Sequence, residues 1–102
     1  MSHRFTLSTP ASQDLDEILT YVLEKGGSTG ARHVADRLQD AFRKLAESSR
    51  LGHKREDLTS APLLFWSVWS YLIVYKPDTK PLEIVRVLHG ARDVRAILDG
   101  TD

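Results

Sequence analysis

Four basic side chains of this 102-residue sequence could act on a phosphate group: Lys54, Arg55, Arg86 and His89. Arginine pairs bidentately with planar anions, lysine supplies a compact charge, and histidine titrates near neutral pH. Together they would suit cleavage of RNA through its 2′-hydroxyl, with His89 transferring a proton and the cations stabilising the transition state. However, no tyrosine or histidine follows in residues 90–102 as a second proton-transfer group. A histidine that bonds to a neighbouring loop backbone is therefore the favoured interpretation of His89.

Lys54 and Arg55 lie in a basic loop, where they could bind phosphate or an acidic partner. The acidic pair Glu56-Asp57 follows directly in the sequence. Such mixed charge runs are common on protein surfaces, which favours a solvated loop that neutralises its own charge.

Arg86 is a cation inside an otherwise apolar strand. Strict alternation places Ile84, Arg86 and Leu88 on one face, and Val85 and Val87 on the other. An arginine on an apolar face needs water, a carboxylate or a ligand anion. A cation that contacts a target and a structural ion pair are equally compatible with this pattern.

Trp66 and Trp69 flank Ser67-Val68, close to a predicted turn near residues 68–70. Two tryptophans at such a corner could form a platform for a partner, although at least one of them usually belongs to the core. The sequence alone does not decide which of the two is buried.

Composition excludes several kinds of protein. There is no cysteine, and the four histidines are scattered, so disulfides, thiol catalysis and metal sites are not expected. Motifs for phosphate loops or hydrolases are absent, and we predict no cofactor. The 14 basic and 14 acidic residues balance, which argues against a chain that coats DNA. No apolar run approaches membrane-spanning length, so we predict a cytoplasmic protein with no membrane partner.

The spacing of apolar residues predicts one domain over residues 1–102 that begins with a strand and two helices. Residues 4–8 alternate as a short strand does, and Thr9-Pro10 reads as a helix cap followed by proline at the first helical position. Gly26-Gly27 ends this helix, and Ser28 can cap a second one that extends to Glu47. The pattern predicts an antiparallel helical hairpin with one shared apolar side.

Three strands follow the hairpin in the predicted order. They cover residues 63–67, 71–75 and 82–88, and the second is apolar enough to be central in the sheet. Val94, Ile97 and Leu98 indicate a short final helix that ends at Gly100. The fold class is α+β with the order β-α-α-β-β-β-(α), in which the hairpin packs on a curved antiparallel sheet.

Four segments together resemble the ParE toxins of the RelE/ParE superfamily, often called plasmid stabilisation proteins. The similarity runs from about Phe5 to Val94 and is most specific in the closing R-V-L-H-G-A-R-D stretch. The segments are Thr9-Pro10-Ala11 with Asp14-Leu15-x-x-Ile18, Leu51-Gly52-x-x-Arg55-x-Asp57-Leu58, Tyr71 to Tyr75, and Ile84 to Asp93.

The resemblance implies the toxin of a bacterial type II toxin–antitoxin pair, with a cognate antitoxin that binds it through apolar contacts. For the ParE branch it implies inhibition of DNA gyrase by binding, without catalysis, and contact with operator DNA only through the antitoxin complex. The RelE branch instead cleaves mRNA on the ribosome with basic side chains and a tyrosine or histidine near the C-terminus. Lys54, Arg55, Arg86 and His89 occupy comparable regions, but the C-terminal tyrosine has no counterpart. A non-toxic member that only binds antitoxin is a third alternative.

These considerations divide the site residues into two groups. Arg92 is expected to pair with a carboxylate such as Asp14, and Asp93 to cap the final helix, so both serve the fold. The residues without an expected structural partner are the candidates for contact with the target or the antitoxin: Lys54, Arg55 and Arg86, together with Trp69.

Overall fold

The computed structural model describes residues 4–90 and 94–99. Its elements confirm the predicted α+β order, and the three later strands agree with the predicted ranges to within about one residue. They are β1 (Phe5–Leu7), α1 (Thr9–Glu47), β2 (Leu64–Val68), β3 (Tyr71–Lys76), β4 (Leu82–His89) and α2 (Val94–Asp99).

α1 is a bent helix of 39 residues whose two arms form the predicted hairpin. A straight helix of that length would measure about 58 Å, whereas the longest dimension of the molecule is 37 Å. The bend lies at Gly27, where φ is 76° and ψ is −178°, a backbone conformation open essentially to glycine alone. The arms are therefore residues 9–26 and 28–47. The first arm is capped by Ser8 rather than by Thr9, because the Ser8 Oγ accepts a hydrogen bond from the Ala11 amide at 3.1 Å.

The four strands form one sheet in the order β1-β4-β3-β2, with β3 and β4 in the interior. The two pairs that are consecutive in sequence, β2/β3 and β3/β4, are antiparallel, as hairpins require. β1 pairs with β4 in parallel, so the sheet is mixed. The long helical connection between these two strands permits either direction, and the sequence therefore did not reveal the parallel pair. The central position of β3 is confirmed, and residues 73–75 are fully buried.

Each face of the sheet has its own apolar cluster. The face toward α1 is the larger and includes Leu38, Phe42 and Leu45 from the second arm, and each such side chain contributes about 2 kcal/mol when fully buried. The opposite face packs Phe65 and Val74 against α2.

A β-bulge in β4 changes which of its side chains lie on the same face of the sheet. Val74 pairs with Arg86 while Tyr75 pairs with Ile84, so Val85 is an extra residue on this strand. An extra residue reverses the alternation of side chains beyond it. Ile84 consequently lies in the cluster that faces α1, whereas Leu88 lies in the opposite one. The expectation that Ile84, Arg86 and Leu88 share a face is wrong for this reason.

Candidate functional site

Beyond the end of β1, the residues at the start of α1 form hydrogen bonds to the outer edge of β4. β1 pairs only with residues 82–84. Beyond that point the Ser8 amide donates to the Ile84 carbonyl at 3.0 Å, and the Ser8 hydroxyl donates to the Val85 carbonyl at 2.7 Å. The helix cap thus also satisfies the backbone of the strand edge.

Asp14 of α1 also bonds to the edge of β4, and it holds the side chain of Arg86 in place. The Arg86 Nε and Nη2 atoms donate to the two carboxylate oxygens of Asp14 at 2.7 and 2.8 Å, and the Val87 amide donates to the same carboxylate at 3.0 Å. The two side chains are only 17% and 6% exposed. The hydrogen bond to Asp14 raises the pKa of Arg86.

Arg86 is therefore a member of a largely buried ion pair, and the expectation that it has no structural partner is wrong. The sequence predicts that Arg92 pairs with Asp14 and that Asp93 caps the final helix. Both of these residues lie outside the described ranges. The sequence did contain a signal for the pair that occurs. Asp14 occupies the apolar stripe of the first arm together with Ala11, Leu15 and Ile18, where a carboxylate needs a buried partner.

The basic loop is anchored next to the sheet by a glycine and a tyrosine. The Gly52 amide donates to the Tyr75 hydroxyl at 2.8 Å, and this hydroxyl donates to the Ser49 carbonyl at 2.8 Å. A Cβ atom on Gly52 would lie 2.6 Å from the hydroxyl oxygen and 2.9 Å from the Phe65 carbonyl oxygen. Only glycine fits here, which gives the Leu51-Gly52 motif a structural role that the sequence did not reveal.

Lys54 and Arg55 follow this anchor on the surface. The expectation that Arg55 lacks a structural partner is wrong. Its Nε and Nη2 atoms donate hydrogen bonds to Asp57 at 2.9 and 2.8 Å. This hydrogen bond raises the pKa of Arg55 and lowers that of Asp57. Lys54 is exposed and lines an open cleft of about 330 Å³ that also includes Arg50 and Glu56. The loop is thus exposed, and within it Asp57 neutralises Arg55, as the favoured interpretation of its charges predicts for this pair.

His89 lies elsewhere, at the end of β4. Its ring packs edge-on against Tyr71, with the ring centroids 5.7 Å apart. Both line an open cleft of about 430 Å³ beside the first arm of α1, together with Glu17 and Tyr21. Lys54 and Arg55 line a different cleft, and Arg86 is turned to Asp14. The four side chains that could serve an RNA-cleaving site are therefore not gathered around one space.

The structure resolves which tryptophan is exposed. Trp66 is partly buried against the main core and lies near Lys44, whose Nζ is 5.8 Å from the ring centroid. Trp69 is 51% exposed, at the turn between β2 and β3. Sequence reasoning did not find the residues of α1 that contact Trp69, Arg37 and His33, because they are distant in the chain.

Neither helix within the described ranges combines the length and apolar character needed to cross a bilayer. Among residues 4–90 and 94–99, no three His, Asp or Glu side chains are grouped so as to hold a metal ion.

Comparison with known proteins assigns the chain to a family. The family model for the ParE toxin of the type II toxin–antitoxin system parDE matches residues 5–94. The chain belongs to the ParE toxin family. The match covers all four strands and α1, and it ends at the first residue of α2.

Two relatives in sequence support this family, and a solved structure shares the fold. Toxin ParE3 of Caulobacter vibrioides is 30% identical over 95 residues, which are 93% of this chain and 94% of the relative. Toxin ParE1 of the same organism is 33% identical over 94 residues, 92% of this chain and 96% of the relative. A solved structure described as the chromosomal ParDE TA system from P. aeruginosa superposes with a TM-score of 0.72 at 16% identity, over 85% of this chain and 95% of that one.

Proposed function

We propose that this toxin inhibits DNA gyrase by binding it, without a catalytic step, and that a cognate antitoxin neutralises the toxin. The observation that carries the proposal is the family match over residues 5–94, because gyrase inhibition is the activity that the resemblance to ParE toxins implies. The toxin's place in a type II system follows from the same match.

The positions of the basic side chains favour this proposal over mRNA cleavage. A nuclease needs its proton-transfer group and its cations around the same phosphate. Here His89 lines one cleft and Lys54 another, while Arg86 is held by Asp14. An arginine that already donates two hydrogen bonds to a buried carboxylate is poorly placed to stabilise a transition state.

An antitoxin partner is supported by the solved neighbour, which is described as a ParDE toxin–antitoxin system. Large exposed apolar side chains lie on the first arm of α1, where Tyr21 is 62% and Leu23 is 50% exposed. Exposed apolar area of this kind suits a partner that orders on binding.

A gyrase supercoiling assay with purified toxin tests the proposal. We expect the purified toxin to block supercoiling. In cells we expect it to induce the DNA-damage response and filamentation, and we expect both cellular effects to disappear when the antitoxin is co-expressed. Intact supercoiling together with cleaved mRNA in a translating extract would contradict the proposal and favour the endonuclease alternative. If neither activity appears and growth is unaffected, the chain is a family member that only binds antitoxin.

A further inference from the structure

A cleft next to Trp69 has two arginines in its walls. It has a volume of about 450 Å³ and lies beside the turn between β2 and β3, with Leu72 and Val94 of the apolar cluster that faces α2 in its walls. Trp69, Arg55 and Arg95 line it together with the apolar side chains of Leu58 and Val94. No carboxylate is among the described residues that line it. A cavity with two guanidinium groups, an indole ring and apolar walls is suited to an anionic ligand that also has an apolar group.

Trp69 is a bulky residue in the positive-φ conformation that the two-residue turn between β2 and β3 requires. It occupies the turn between Val68 and Tyr71 with φ at 55°, where glycine would be unstrained. For a bulky residue this conformation is an outlier, and such strain concentrates at functional sites. The side chain is 51% exposed, so a partner can reach the indole ring.

Two side chains of the second arm of α1 fix the orientation of the indole ring. The Arg37 guanidinium lies 5.0 Å from the ring centroid, and the His33 ring centroid lies 5.4 Å away. Because these residues are one helical turn apart, they approach the tryptophan from the same helix. Trp69 is thus positioned before any partner binds, which lowers the entropic cost of association.

We propose that this cleft is the surface through which the toxin contacts gyrase, and that it receives an acidic polypeptide segment of the target. An apolar or aromatic side chain of the segment packs on Trp69, while its carboxylates pair with Arg95 and Arg55. Arg55 exchanges Asp57 for the partner's carboxylate, which costs little because the Arg55–Asp57 pair is 45% and 62% exposed. This inference rests on the proposed function and names the part of the toxin that performs it.

The charges favour a polypeptide over a nucleic acid as the occupant. The formal net charge of the chain is zero, whereas proteins that bind nucleic acid depend on an excess of cations along the backbone path. Two arginines allow few phosphate contacts. Tryptophan and arginine, by contrast, are the residue types that dominate binding energy in protein interfaces.

Binding of the full-length toxin to purified gyrase in the absence of DNA tests the inference. The variants are Trp69→Gly and Arg95→Ala, and their matched controls are Leu23→Ala and Arg43→Ala, which remove an exposed apolar side chain and an exposed arginine outside the cleft. We expect each cleft variant to weaken binding by roughly tenfold or more, and each control to change it less than about twofold. Arg95→Ala should also reduce the dependence of affinity on salt. Thermal melting of every variant checks the fold, because Trp69→Gly relieves the backbone strain but also removes the contacts of the indole ring with Arg37 and His33.

The possible outcomes separate the inference from the proposed function. If the parent toxin binds gyrase and both cleft variants bind equally well, the inference is wrong while gyrase inhibition stands. If the parent toxin does not bind gyrase, the proposed function fails and the inference fails with it. If Trp69→Gly weakens binding to a 12-nucleotide oligothymidylate but not to gyrase, the cleft is a nucleic-acid site and the inference is again wrong.

Discussion

At the residue scale, Asp14 takes the place of a strand residue at the edge of β4. Its carboxylate accepts from the Val87 amide, as a strand carbonyl would, and its second function is to hold Arg86. A side chain of α1 thereby joins the sheet to the helix that covers it. The ion pair is largely shielded from water, so removal of one member leaves the other charge without its hydrogen-bonded partner.

Replacing one member of this pair is expected to destabilise the protein strongly. Arg86→Ala and Asp14→Ala should each lower the free energy of unfolding by about 3 kcal/mol, because each leaves a poorly solvated charge unpaired. For a chain of this size the melting temperature should fall by roughly 12 to 24 °C, measured by circular dichroism.

Two further variants control this prediction. Arg43→Ala removes an arginine whose pair with Asp40 is 56% and 69% exposed, and it should change stability by less than about 0.5 kcal/mol. The double variant Asp14→Leu/Arg86→Met should recover part of the lost free energy of unfolding, because it removes both charges together. If Arg86→Ala melts with the parent protein and only its toxicity is lost, Arg86 contacts a target after all.

Gly52 provides a second test at the residue scale. Gly52→Ala should cost about 2 to 3 kcal/mol, because the new methyl group would overlap the Tyr75 hydroxyl and the Phe65 carbonyl. Gly30→Ala is the matched control, since its Cβ would meet only the Val22 side chain at an ordinary 3.7 Å. That variant should be neutral or slightly stabilising in a helix. Equal melting of the two variants would mean that the loop does not approach Tyr75 as closely as described.

At the element scale, local patterns predicted the elements well and their mutual placement less well. The apolar stripe that includes Leu38 and Phe42 repeats with the helical period, and the break at Gly27 is a local backbone property, so the hairpin was predictable. The bulge at Val85 depends on pairing with β3. The edge bonding by Asp14 depends on a contact 73 residues away. Such long-range partners are not determined by local periodicity.

The bend of α1 is itself testable. Gly27→Ala should destabilise the protein by about 1 to 3 kcal/mol even though no atom lies within 4 Å of the position of its Cβ. The cost arises from the backbone conformation, because φ is 76° there. Gly26→Ala is the matched neighbour, since its Cβ would only contact the Val22 side chain at 4.0 Å. If urea melts show Gly27→Ala to be the more stable of the two, the chain does not bend at this residue.

At the scale of the whole molecule, the balanced net charge conceals an uneven distribution. Tyr71 lines two clefts, one with Asp14 and Glu17 in its walls and the other with Arg55 and Arg95. The sequence identified Arg55 and Trp69 as candidates for binding but did not place them in the same cleft as Arg95. That juxtaposition requires β2, α2 and the basic loop to meet, and only the tertiary fold determines it.

The dependence of stability on alkaline pH gives a test of the whole fold through Tyr75. Burial raises the pKa of its hydroxyl above the ordinary value, while the hydrogen bond from Gly52 acts in the opposite direction and is the smaller effect. An acid whose pKa is raised by folding keeps its proton longer in the folded state. The stability from this group is therefore complete below the unfolded pKa of about 10 and is lost as the pH rises from there through the folded pKa.

Above about pH 10, the free energy of unfolding of the parent protein should fall more steeply with pH than that of Tyr75→Phe. The two slopes should differ by up to about 1.4 kcal/mol per pH unit. Tyr75→Phe should be less stable at pH 7, because it removes the hydrogen bonds to Gly52 and Ser49, and the two curves should converge as the pH rises. Urea melts of both proteins between pH 7 and pH 11 measure this difference, with Tyr21→Phe as the control that removes an exposed hydroxyl. Parallel curves for the parent and Tyr75→Phe would show that the hydroxyl is solvated, and the loop that carries Lys54 and Arg55 would then not be anchored on the sheet.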